Sequence, residues 1–190
     1  MKKCNKRRHW DKIYAALQFC PLQLRKTLKY CPGLVDHYST LEEKICSNWD
    51  KTIELMKRGE FSTVIIRAAT TVELAANLLV KYEFQHNRKL PEHFVDNLMM
   101  WANGLMGKVD RLLLPIYKNT DSENALKEVK KRSKDINDER NNVVHRGQFK
   151  AKKTAEKVLK EAEFIVNKFA KLSGSQLTVS SVITDEKKDI

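Results

Sequence analysis

Apolar residues recur along this chain at steps of three and four, the period of helices packed on one another and not of strands. Leu41, Ile45, Trp49, Ile53 and Met56 form one stripe that ends at Gly59. The spacing Ser39-Thr-Leu-Glu42 is that of a capping box and predicts a helix start at Ser39. A second helix is expected from Ser62 to Phe84, where Val64, Ile65, Ala68, Ala69, Val72, Ala75, Ala76 and Leu79 give a wide small-residue face suited to the centre of a bundle. A third should open at Pro91, run through Phe94, Leu98, Trp101, Leu105, Val109 and Leu112, and close near Pro115, loosened by Gly104 and Gly107. Thr120-Asp-Ser-Glu123 repeats the capping spacing, starting a fourth helix that reaches His145 and stops at Gly147. The last, Thr154 to Leu172, carries Val158, Ala162, Ile165, Val166 and Phe169 on one side.

Six glycines and four prolines in 190 residues are too few turns for a many-stranded sandwich. The expected fold is therefore all-α: an up-and-down bundle of four to five main helices over residues 37–172. A basic N-terminal helical extension should occupy residues 1–36. The Ser/Thr-rich stretch 173–190 reads as a flexible tail.

The formal charge of +12, carried by 26 Lys and 10 Arg against 24 acidic residues, adds a polyanionic partner to this picture, RNA or DNA ahead of a membrane surface. Lysine runs on helices also serve simply as solvated faces. Cys4, Cys20, Cys31 and Cys46 are spaced too widely for paired zinc ligands and read as reduced packing thiols. No metal or cofactor is expected. Asp11, Gln18, Pro21 and Gln23 interrupt the early apolar stretch, so it does not read as a signal peptide. Arg67, Glu73 and Lys81 punctuate the best candidate span, and the expectation is a cytoplasmic protein with no membrane partner.

The fourth helix departs from the pattern. Its core stripe is thin, Val129, Ile136 and Val143 at seven-residue steps, and Ser133 and Arg140 fall beside it. An inward guanidinium needs a partner, Glu73 or Glu139 if the pairing is structural. His145 shares a helical face with Asn141, Asn142 and Asp138, whereas Arg140 lies about 140° away from it at 100° per residue. Meeting at one phosphate then requires long side chains, a helix bend or a second copy of the chain, and the last of these predicts a dimer.

Arg140-Asn141, three further residues, His145 and then Gly147, just ahead of the last amphipathic helix, resemble the Arg-x4-6-His signature of the HEPN superfamily. Similar features extend from roughly Thr40 to Leu172 and include a long second helix holding a lone acidic residue, Glu73. The resemblance implies a helical bundle that pairs as a homodimer across a cleft and acts as a metal-independent endoribonuclease, a toxin or defence effector whose partners are RNA and an antitoxin or immunity protein. It implies His145 as general base or acid, Arg140 as stabiliser of the pentavalent phosphate, and Asn141 as the group orienting His145 or the phosphate; Glu73, Asn142 and Asp138 would support them. Imidazole as a residue type exchanges protons near neutral pH, and guanidinium forks onto phosphate oxygens. RNA supplies its own nucleophile, so the expected product is a cyclic phosphate and a free hydroxyl. Some members carry Tyr two positions after the His as the target of a nucleotidyltransferase antitoxin; Gly147 stands there in this chain, which puts that partner in doubt. The alternatives are a non-catalytic nucleotide- or RNA-binding module of the same kind and a helical protein-interaction scaffold.

Overall fold

The computed structural model describes residues 40–182, and all regular structure among them is helical. The expected N-terminal extension, three of the four cysteines and residues 183–190 lie outside the described residues. Four long helices make the bundle: α1 (Leu41–Lys57), α2 (Phe61–Lys81), α6 (Glu123–Arg146) and α7 (Lys152–Leu172), joined between α2 and α6 by the short helices α3 (Glu92–Trp101), α4 (Gly104–Lys108) and α5 (Leu114–Ile116). Two π-helical segments, Tyr82–Asn87 and Val109–Leu113, extend α2 and link α4 to α5.

Helix α2 is the centre, packing on α1, α6 and α7. Val64, Ile65, Ala68, Val72, Ala75, Ala76, Leu79 and Val80 are fully buried on it. Its alanines let neighbouring helices approach closely, and the buried Thr71 hydroxyl donates to the Arg67 carbonyl at 2.9 Å, so the close contact leaves no orphaned donor. With its π extension α2 is long and apolar enough by composition to cross a membrane, contrary to the reading that Arg67, Glu73 and Lys81 break it up; half of that apolar window is buried in the bundle.

Local chemistry moved several boundaries. Two capping boxes overlap before α1, and the chain uses the second: Thr40 Oγ1 accepts from Glu43 N at 3.2 Å and Glu43 accepts from Thr40 N at 3.0 Å. Ser39, the expected start, lies outside the described residues, and Glu42 accepts from Ser175 Oγ at 2.7 Å. Before α6 the predicted box at Thr120 does not form. Thr120 donates to the Tyr117 carbonyl, and Glu123 reaches back to Asn119 N at 2.7 Å, leaving Ser122 as the N-cap without a side-chain bond.

The single third helix is broken into pieces. It stops at Trp101 and the chain folds back so that Gly107 meets the Ala102 carbonyl, where a Cβ would lie 2.6 Å from its oxygen. That break turns Trp101 out of the core: it is 60% exposed, with the Arg111 guanidinium 5.1 Å above its ring. Trp49, by contrast, is buried as its stripe implies.

The C-terminal stretch is not free as far as Val182. Asn167 pairs with both backbone groups of Val179, at 2.9 and 2.8 Å. Trp49 Nε1 donates to the Ser180 carbonyl at 2.9 Å, and Glu163 accepts from Ser181 N at 3.0 Å. These bonds strap residues 179–181, part of the stretch expected as a flexible tail, to α1 and α7.

Candidate functional site

The site is the last two turns of α6 and the loop behind them. Leu126, Val129, Ser133 and Ile136 are buried, and beyond Ile136 the helix buries nothing fully; Val143 only leans on the core. Ser133 Oγ, beside the stripe as predicted, has no hydrogen-bond partner. The helix ends where Gly147 adopts φ 62°, a left-handed conformation that glycine takes without the Cβ penalty. Gly147 N and Gln148 N both turn back onto the Asn142 carbonyl, the latter at 3.1 Å.

Lys150 fixes the far side of this turn. Its backbone N donates to Ser62 Oγ on α2 at 3.0 Å, and its ammonium lies 3.0 Å from Gln148 Oε1 and 2.8 Å from Glu139 Oε2. The Glu139 contact is an ion pair outside ideal hydrogen-bond angles. One lysine thus ties the α6–α7 loop to two helices, and it also removes Glu139 from Arg140.

Glu73 is removed as well. Its carboxylate takes the Lys108 ammonium at 2.7 Å, and the Lys108 side chain is only 7% exposed. Glu73 therefore neutralises a buried cation on α4 and is not drawn to Arg140 or Arg67; Arg67 bonds Asn48 Oδ1 at 2.8 Å. Neither acidic partner expected for Arg140 is available to it.

Arg140 is half-buried and forms no ion pair with a carboxylate among the described residues. Its Nη1 donates to Asn141 Oδ1 at 3.0 Å and lies 3.5 Å from His145 Nε2. The guanidinium stem is long enough to cross the 140° between the two positions, so Arg140, Asn141 and His145 gather within one chain. This removes the geometric reason for a site shared by two copies. Asn141 accepts from Arg140, and no hydrogen bond joins it to His145 among the described residues.

The chain matches no family model, no curated protein and no solved structure. The site has to be judged by its own geometry.

Of the supporting residues, Asn142 contributes its carbonyl to the helix stop, and Asp138 makes no hydrogen bond to His145 among the described residues. Asp138 instead lines a cleft of about 270 Å³ between α6 and α7 with Asp135, Glu139, Thr154, Lys157 and Glu161. A second, more open groove of about 390 Å³ lies along α7, from Lys160 to Lys171. Neither includes the half-buried Arg140 or the exposed His145. Among the described residues no three His, Cys, Asp or Glu side chains gather as a metal site would require. Cys46 is exposed at its backbone turn but its thiol pKa is pushed up, first by burial and then by Asp50, Glu42 and Glu43, which makes it a poor nucleophile.

Sequence reasoning missed Lys150, which decides where Glu139 points, and Phe149, which is 97% exposed between two anchored residues. The signal for Phe149 was present: an aromatic residue in a polar turn, two positions past a helix-ending glycine.

Proposed function

We propose that this protein is a metal-independent endoribonuclease of the HEPN kind whose Arg140–His145 pair acts within a single chain. The carrying observation is the guanidinium of Arg140, held by Asn141 and 3.5 Å from His145 Nε2, with its other N–H donors bonded to no protein acceptor among the described residues. A cation with no carboxylate partner among the described residues, set beside an imidazole, suits a phosphodiester.

In this reading the phosphate lies on the Arg140 fork, and a neutral His145 takes the proton of the adjacent ribose 2′-hydroxyl through Nε2. The 2′-oxygen attacks phosphorus as the bond to the 5′-oxygen breaks. A cyclic phosphate forms, and the leaving oxygen takes its proton from solvent. Arg140 stabilises the charge that builds on the phosphorane oxygens, typically the larger contribution. Pairing as a homodimer, which the HEPN resemblance implies, would then place two such sites together without either completing the other.

The test is RNA incubated with the protein in EDTA. Cleavage leaving cyclic phosphate ends, and falling by about 10²- to 10⁴-fold in His145→Ala, is expected. No cleavage, or cleavage unaffected by His145→Ala, would refute the reading. Mixing Arg140→Ala with His145→Ala chains should restore nothing if each site is complete in one chain.

One observation favours a second reading, a non-catalytic RNA-binding module. His145 is exposed and Arg140 only half-buried, so water screens part of the charge that catalysis relies on. Such a module would bind RNA with affinity falling steeply with salt, at about −0.7 in slope for each phosphate neutralised, and would release no product.

A further inference from the structure

Phe149 is the most exposed large apolar residue among those described, at 97%. Single exposed apolar residues are ordinary; what sets Phe149 apart is how its backbone is held. The loop does not wave it about. Gln148 N is bonded to the Asn142 carbonyl at 3.1 Å and Lys150 N to Ser62 Oγ at 3.0 Å, so the backbone on both sides of the ring is tied to the bundle. Presenting a side chain from an anchored backbone lowers the entropy lost when something binds it.

The ring also stands close to the proposed phosphate site. It lies four positions after His145, at most about 14 Å of extended chain, and the left-handed turn at Gly147 shortens that span. Arg146, Lys152 and Lys153 flank it in sequence, and α7 starts beside it with Ala151 as an N-cap that makes no side-chain bond. Aromatic faces set among cations are how single strands are held: the cations follow the backbone and the rings take unstacked bases.

We propose that Phe149 stacks on a nucleobase next to the phosphate held by Arg140, and that the site therefore takes single-stranded RNA in preference to duplex. This rests on the RNA reading of the Arg140–His145 pair. A second copy of the chain is the competing occupant, and charge argues against it. A two-fold contact centred on Phe149 would bring Arg146, Lys152 and Lys153 against their own copies, an arrangement of like charges that costs affinity.

The experiment uses the full chain carrying His145→Ala, so that bound RNA is not consumed. A labelled single-stranded RNA of mixed sequence, and the same strand annealed to its complement, are titrated with and without Phe149→Ala. Single strand should bind more tightly than duplex, and Phe149→Ala should weaken single-strand binding by roughly 5- to 150-fold, with Phe149→Tyr retaining it. The salt slope should not change, because stacking releases no counterions. Equal affinity for the two forms, no effect of Phe149→Ala, or a loss of self-association in Phe149→Ala would each overturn the inference. If the unmutated chain does not cleave but single-strand binding still depends on Phe149, the nuclease reading falls and the stacking stands. If it cleaves through His145 with no dependence on Phe149, the stacking alone falls.

Discussion

Two clusters in this protein join an arginine to a residue five positions away, and they are built in opposite ways. At the end of α2, Arg88 reaches back to Glu83 at 2.6 Å because the chain there is a π-helix, whose wider turn brings residues five apart onto one face. Tyr117 closes the cluster with a short hydrogen bond to the other carboxylate oxygen, and Glu83 is buried. Burial alone would raise the Glu83 pKa; the bonds from Tyr117, Arg88 and Asn87 outweigh it and hold the carboxyl below its ordinary range. At the end of α6 the helix is regular, residues five apart diverge, and Arg140 comes only to 3.5 Å from His145 on half-open surface. The first cluster satisfies every charge it contains. The second leaves a guanidinium with no carboxylate partner among the described residues. A polar cluster that is complete in itself stabilises the fold, and one that is incomplete is free to act on a ligand.

The largest expected effect that would break this contrast is at Arg140. Arg140→Lys keeps the charge but loses the planar fork, so under the proposed function it should lower RNA cleavage by about 10²- to 10³-fold. Its stability should change by no more than about 0.5 kcal/mol, as for a surface substitution. Full activity in the lysine variant would mean that the site uses charge alone; a large loss of stability would mean that Arg140 belongs with the structural cluster after all.

Glu83→Gln tests the other side. Replacing a buried, doubly bonded carboxylate should cost about 2 kcal/mol, or roughly 4–8 °C in a chain of this size, and leave cleavage unchanged. The sign with pH follows from the lowered folded pKa. The Glu83 contribution is present above the ordinary carboxyl value near 4.3 and is lost as pH falls through the lower folded value. Thermal melts of both proteins from pH 7 to pH 3 should therefore converge at the acid end. A gap that stays constant would show that the carboxylate is not what stabilises this corner.

What could be read in the sequence divides along the same line. The long helices were legible because their apolar stripes are local and periodic. The Arg140–Asn141–His145 group was legible because it lies within six residues, and the helix stop because glycine is so well suited to a left-handed turn. Partner choice was not legible. Nothing near Glu73 announces that Lys108 will bury itself against it, and nothing near Glu139 announces Lys150. Trp101 read as core until a backbone contact between Gly107 and Ala102 broke its helix. The tail read as free because its anchors, Trp49, Asn167 and Glu163, are on other elements. Even the capping of α1 had two frames of equal local merit, and Ser175, far along the chain, took the acidic residue of one of them.

A smaller effect is expected at Gly147. No atom lies within 4 Å of where its Cβ would go, so Gly147→Ala meets only the backbone penalty of a left-handed residue, about 1 kcal/mol. Gly147→Asn should cost less, since Asn tolerates that conformation. Because Gly147 N and Gln148 N bind the Asn142 carbonyl, fraying this stop would loosen His145, and cleavage should fall more in the alanine than in the asparagine variant. Equal activity in both would separate the turn from the site.

The smallest expected effect is at Asp138, and it sharpens the comparison by its absence. Helical angle places Asp138 on the same face as His145, seven residues away, where a carboxylate would orient and charge the imidazole as it does in many proton-transferring sites. The side chain instead lines the α6–α7 cleft, and His145 is met by Arg140. Asp138→Asn should therefore leave both the rate and its pH profile as they are, and change stability by less than about 0.5 kcal/mol. A shift of the profile toward acid in the asparagine variant would show the carboxylate acting on His145 in the bound state, through a rotation of its side chain that RNA induces. The site would then be assembled on the face that helical geometry first indicated, and the Arg140 contact would be its resting arrangement.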